Sequence, residues 1–151
     1  MKKVDLQAIK GEAMNLYLNG DYYCSEAIIY ALRKHLASTM PVQAVAMASG
    51  FPLGIGGAGC LCGALSGGVL ALGYFFGRTT PKDTKVNKAM ALSKELHDFF
   101  QEENRSLCCR DLVANLDVGS PEQQERCAAF TGEVAYKTAQ IICRELGYQA
   151  S

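Results

Sequence analysis

The sequence predicts a single all-α domain spanning residues 1–151, a bundle of five to six helices around a buried, glycine-rich central helix. Three observations lead there. Apolar residues recur at three-and-four spacing along most of the chain. No stretch alternates convincingly with period two. The uncharged middle, residues 36–77, is flanked by amphipathic segments able to cover it.

The elements follow in order. Residues 5–19 place Leu6, Ile9, Ala13, Leu16 and Tyr17 on one face, and Asn19-Gly20 ends the run. Residues 25–37 repeat the pattern with Ala27, Ile28, Ala31, Leu32 and Leu36. Pro41 opens a short helix through about residue 48, closed by Gly50 and Pro52. Residues 83–103 turn Val86, Met90, Leu92, Leu96 and Phe99-Phe100 inward and their lysines and glutamates outward. The last helix has the clearest start: Ser120 caps it, Pro121 takes its first position and Gln123 stands where a capping box places its amide. It runs to about Leu146, with Gly147 as the stop.

Residues 58–76 are long enough, at about 1.5 Å per residue, to nearly cross a bilayer. Gly59, Gly63 and Gly67 recur every four residues, a spacing that lets helices approach closely in a membrane or in a protein core. Ten glycines between Gly50 and Gly77, with few Leu, Ile or Val, favour the second setting. The expectation is a central helix starting near Gly59 to Leu61, preceded by the loop "GFPLGIGGAG", with no stable membrane span.

Fifteen basic and fifteen acidic residues cancel without a block of like charge, so the clustered basic face of a nucleic-acid binder is missing. The amino-terminal residues have no apolar stretch or small-residue cleavage site, which predicts no secretory signal and a cytoplasmic location. Seven cysteines in such a chain, an odd number, point to metal binding or redox chemistry before a disulfide framework. The plainer alternative is that each thiol is a small buried hydrophobe.

Placed on these helices, the cysteines fall near helix starts and bends. Cys62 sits at the start of the central helix, where free N–H groups and the helix dipole favour a thiolate. Cys60 shares its centre only if it remains in the loop. Cys24 opens the second helix, Cys108-Cys109 occupies a bend before "RDLVA", and Cys127 lies about two turns into the last helix. Such positions can converge at one end of a bundle, and four thiolates suit a tetrahedral metal or an iron–sulfur cluster. Cys143 lies roughly 24 Å further along the last helix and about 160° around it, so it cannot share a centre with Cys127 and reads as a core residue. His35 and His97 each stand alone and read as surface or packing residues. There is no C-x-x-C pair, no phosphate-binding loop and no partner that would activate Ser66.

"YCSEA" at 23–27, "GIGGAGCLCGALSGGVLALGYFFGR" at 54–78, "CRDL" at 109–112 and "CAAFTGEVAYKTAQII" at 127–142 resemble the C_GCAxxG_C_C family, described as redox-active and named for its cysteines and a CGAxxG core. Here that core is Cys62-Gly63-Ala64-Leu65-Ser66-Gly67. The resemblance covers most of the chain and implies four key cysteines: Cys24, Cys62, one of the adjacent pair, and Cys127. Cys109 fits the pattern better than Cys108 because Arg110-Asp111-Leu112 continues it. Cys60, Cys108 and Cys143 fall outside, with Cys60 and Cys108 left as auxiliary candidates. The resemblance implies redox activity but no substrate.

Four functions are then open. The first is a redox centre held by Cys24, Cys62, Cys109 and Cys127, an iron–sulfur cluster before other metals, with Gly59, Gly63 and Gly67 supplying N–H groups around it and an unidentified redox partner protein. The second is a metal-free thiol–disulfide oxidoreductase with Cys62 as nucleophile and Cys109 or Cys127 resolving. The third is a structural zinc site on the same four thiols. The fourth is a helical interaction module whose cysteines only pack. The glycine-rich, uncharged helix also allows a homodimer.

Overall fold

The computed structural model describes all residues, 1–151. The chain runs β1 (Lys3–Val4), α1 (Leu6–Leu18), α2 (Cys24–Leu36), α3 (Gln43–Ala46), α4 (Gly63–Phe76), α5 (Val86–Asn104), α6 (Cys109–Leu112), α7 (Pro121–Leu146) and β2 (Gln149–Ala150). It is an all-α structure apart from one parallel pairing of β1 with β2, Lys3 opposite Gln149 and Val4 opposite Ala150. Two residues per strand are too few to leave an alternating pattern in the sequence.

Local chemistry sets the helix limits. The Asp5 carboxylate accepts from the Ala8 N–H (3.0 Å) and caps α1. Ser120 Oγ accepts from the Gln123 N–H (3.2 Å) at the start of α7, Pro121 follows, and Gly147 ends the helix with φ +72°. The capping box itself does not close. The Gln123 amide oxygen accepts from the Gly119 N–H (2.9 Å), one residue before the cap.

The core is continuous from Val4 to Cys143, with Ile9, Ile28, Leu32, Leu72, Phe100 and Ile142 fully covered. The 26-residue α7 is its spine, packing on α1, α2, α4 and α5. The central helix differs from expectation in two ways. It begins at Gly63, because Leu61 is held in a bridge with Cys108 and Cys62 has ψ 127°, neither of which continues a right-handed helix, and residues 53, 54, 55, 56, 57 and 59 before them have left-handed backbone angles. It is also covered on only part of its circumference: α2, α5 and α7 pack on it, while Val69 (36% exposed), Gly73 and Tyr74 (47%) face outward. No helix is long and apolar enough to cross a membrane.

The four-residue glycine spacing is therefore split between loop and helix, and its packing role falls to Gly63, against Cys24, and to Gly67. A Cβ at Gly67 would lie 2.8 Å from the Ser25 carbonyl oxygen of α2, so α2 and α4 touch backbone to backbone. Gly68 does the same service toward Leu96 and Thr138.

This gives a paired prediction. Gly67→Ala should destabilise the fold by about 1–3 kcal/mol, because Ser25 backbone has to retreat. Gly73→Ala, exposed and with open space at its Cβ, should stabilise it by about 0.5–1 kcal/mol through helix propensity. Urea denaturation of both variants checks the opposite signs.

Candidate functional site

Cys24 is the first residue of α2, and Cys62 is the residue before α4, at its N-cap. The two helix starts lie side by side because Gly63 has no side chain: a Cβ there would stand 2.6 Å from Cys24 Sγ. Cys109 opens α6, and a short antiparallel bridge of Leu61 with Cys108 sews that turn to the loop before α4. Around the bridge the Cys62 N–H donates to the Leu107 carbonyl (2.8 Å), the Cys109 N–H to the Cys60 carbonyl and the Arg110 N–H to Gly59 (3.0 Å). Cys127 comes from the second turn of α7.

These four cysteines line one cavity of about 20 Å³. That is room for about one water-sized particle. The rest of its wall is apolar or aromatic, including Tyr17, Tyr23, Leu53 and Phe130, and no charged side chain reaches it. Gly63 is the one glycine of the expected three that lines the cavity; Gly67 lies a turn away at the α2 crossing, and Gly59 lies in the loop against Arg110.

The remaining candidates lie elsewhere. Cys60 is exposed, and the Cys108 thiol donates to the Gly59 carbonyl (3.0 Å). Cys143 is buried in the main core. His35 bonds Glu12 (2.5 Å) and His97 bonds Asp98 (2.9 Å), both away from the thiols.

Burial dominates the electrostatics. It pushes the Cys62 thiol up from 9.0 to about 11, although the Ala64 and Leu65 N–H groups at the start of α4 pull it down. The helix terminus thus acts as expected, but it loses to desolvation. Cys24 is pushed up further, first by burial and then by the neighbouring charges of Cys62 and Cys127. Burial also raises Cys109 and Cys127. No lysine, arginine or histidine lines the cavity, and the charge of Arg126 offsets the shift at Cys127 only in part.

Two residues not assigned to the site from the sequence, Gln123 and Tyr17, hydrogen-bond Cys127. Gln123 is 3% exposed, and its amide nitrogen donates to Cys127 Sγ (2.9 Å) and reaches Tyr17 Oη (3.3 Å). The Gly119 N–H holds its amide oxygen, so the NH₂ group faces the sulfur. The spacing of Gln123 to Cys127, one helical turn, was the available signal. Tyr17, on α1, had none. Its hydroxyl is pushed to higher pKa by burial first and then by the charge of Cys127.

As donors the four thiols are soft and suit a tetrahedral metal or an iron–sulfur cluster, and the void matches one ion in size. No three cysteine, histidine, aspartate or glutamate side chains stand grouped as metal ligands, so coordination requires the sulfurs to draw together.

A helical protein with four thiols around one small apolar void defines a class of cysteine-centred domains. The family profile described as "Putative redox-active protein (C_GCAxxG_C_C)" matches residues 22–141, and the chain belongs to that family. It is 31% identical over 117 residues to an uncharacterized protein of Archaeoglobus fulgidus, covering 73% of this chain and 78% of that one. No solved structure matches.

The raised Cys62 thiol gives a pH signature. A folded pKa above the unfolded value means the folded state holds its proton longer, so the contribution to stability is intact below pH 9.0 and disappears as pH rises through about 11. In the reduced, metal-free chain, Cys62→Ala should flatten the loss of stability between those limits by on the order of 2–3 kcal/mol. Urea titrations of both proteins at the two ends of the window measure it.

Proposed function

We propose that the chain is a redox protein whose Cys24, Cys62, Cys109 and Cys127 thiolates together hold an iron centre, used for electron transfer or redox sensing. The observation that carries this is four thiols from four helices facing one void that no lysine, arginine or histidine lines, with the charge of Arg126 acting on Cys127 alone. Ionising several buried sulfurs there is unfavourable on its own and becomes favourable around a cation. The small volume favours one iron ion in a four-thiolate shell. An iron–sulfur cluster needs the loop of residues 53–61 to move outward. When bound, the iron would supply a one-electron couple. The chain's part is to exclude water with Leu53 and Phe130, to direct the Ala64 and Leu65 N–H groups at Cys62, and to hold the Gln123 amide on Cys127. Zinc on the same ligands would be structural, with no redox change.

A second reading has its own observation. With no three donors grouped as ligands, pairwise chemistry between Cys62 and Cys109, which flank the 61–108 bridge, supports a thiol–disulfide oxidoreductase. The raised thiol pKa values count against it, since the attacking species is the thiolate.

Protein purified without exposure to air should be coloured and carry about one iron per chain. Equimolar labile sulfide would mark a cluster instead. Serine at position 24, 62, 109 or 127 should remove most of the iron, whereas Cys60→Ser, at an exposed thiol, should keep it. Colourless, iron-free protein after reconstitution overturns the proposal. A loss of two thiols per oxidation event without metal favours the disulfide reading.

A further inference from the structure

An open cleft of about 560 Å³ lies beside the sulfur void, within the range of small-molecule sites. Tyr17, Tyr23 and Leu53 line both, so these side chains form the partition between cleft and thiols.

The lining has a consistent chemistry. Tyr17, Tyr22 and Tyr23 supply aromatic surface, and Tyr23 is 54% exposed although it is a large apolar ring. Val118, 74% exposed, adds apolar surface from the loop before α7. The charges are Asp21 at the exposed rim and Glu26 in the wall; no lysine, arginine or histidine lines the cleft. Glu26 is fixed in place, accepting from the Tyr23 N–H (3.0 Å) and from Ser49 Oγ (2.8 Å). Gly119 holds the two glutamines of the floor, donating to Gln123 and accepting from Gln124 (3.4 Å). The walls are therefore largely preformed.

Tyrosine faces attract flat rings and cations, and the two carboxylates repel anions. A phosphate-bearing nucleotide cofactor finds no positive group here. We infer that this cleft is a binding site for a flat aromatic cation, held against Tyr23 and next to the partition that covers the four thiols. The site stands whichever group the sulfurs hold, and binding alone involves no electron or proton transfer.

Two three-ring probes of opposite charge test it on the as-purified protein: proflavine, a cation, and anthracene-2-sulfonate, an anion. Calorimetry should give one proflavine site per chain with a Kd below about 1 mM, and at least roughly tenfold weaker binding of the sulfonate. Asp21→Lys and Tyr23→Ala should each weaken proflavine about fivefold or more, while Glu102→Lys, the same charge change on distant α5, should leave it unchanged. Absence of proflavine binding at 1 mM, equal affinity for the sulfonate, or indifference to both cleft variants overturns the inference. Metal content, measured separately on the same preparations, reports on the iron proposal and not on the cleft.

Discussion

The absence of a side chain at Gly63 is the constraint on which the rest depends. With a Cβ 2.6 Å from Cys24 Sγ, the starts of α2 and α4 could not lie as they do. Gly67 repeats the same economy one turn further along, against the backbone of Ser25. Together they bring two helix starts, and two thiols, to one point. The other sulfurs are then delivered by independent devices: the Leu61–Cys108 bridge fixes α6 and Cys109, and the packing of α7 on α2 and α4 brings Cys127.

That geometry creates an electrostatic problem and restricts its solutions. A thiolate in an apolar void is penalised by lost hydration, and a second thiolate nearby adds repulsion. Backbone N–H groups at Cys24 and Cys62, and at Cys127 the Gln123 amide, the Tyr17 hydroxyl and the charge of Arg126, offset only part of this, and burial still pushes every thiol of the cavity up. Catalytic cysteines commonly have a cationic neighbour; here none lines the wall. The arrangement is coherent for neutral thiols that pack, or for thiolates sharing a cation. It is poorly arranged for a lone nucleophile.

Much of the fold was legible because the helices signal themselves. The hydroxyl, proline and glycine around α7 mark both its ends, and the three-and-four apolar spacing of α1, α2 and α5 fixes which faces turn inward. The start of α4 was less legible because Leu61 pairs with Cys108, far along the chain, and Cys62 is left extended beside it. Helix-edge positions made a meeting of Cys24, Cys62, Cys109 and Cys127 conceivable, and the family resemblance narrowed the choice; the bridge that sets Cys109 is a two-segment contact no local pattern encodes. Tyr17 escaped notice for a similar reason. It reads as an ordinary core residue of α1, and only the approach of α7 turns its hydroxyl toward Cys127.

Because the sulfurs come from four separate helices, the void exists only while the whole bundle is assembled. An ion held there would bind the folded chain and not the scattered thiols of the unfolded one, and would therefore stabilise the bundle in proportion to its affinity. The loop of residues 53–61 carries the left-handed backbone and supplies Leu53 to the sulfur void and to the open cleft alike. A change of occupancy at the sulfurs that moved Leu53 would thus reshape the cleft wall, whereas the Gln123 amide, clamped by Gly119 and buried within α7, would keep its direction toward Cys127. The centre therefore shares Leu53, Tyr17 and Tyr23 with solvent-accessible space, so whatever occupies the cleft stands one side chain away from the sulfurs.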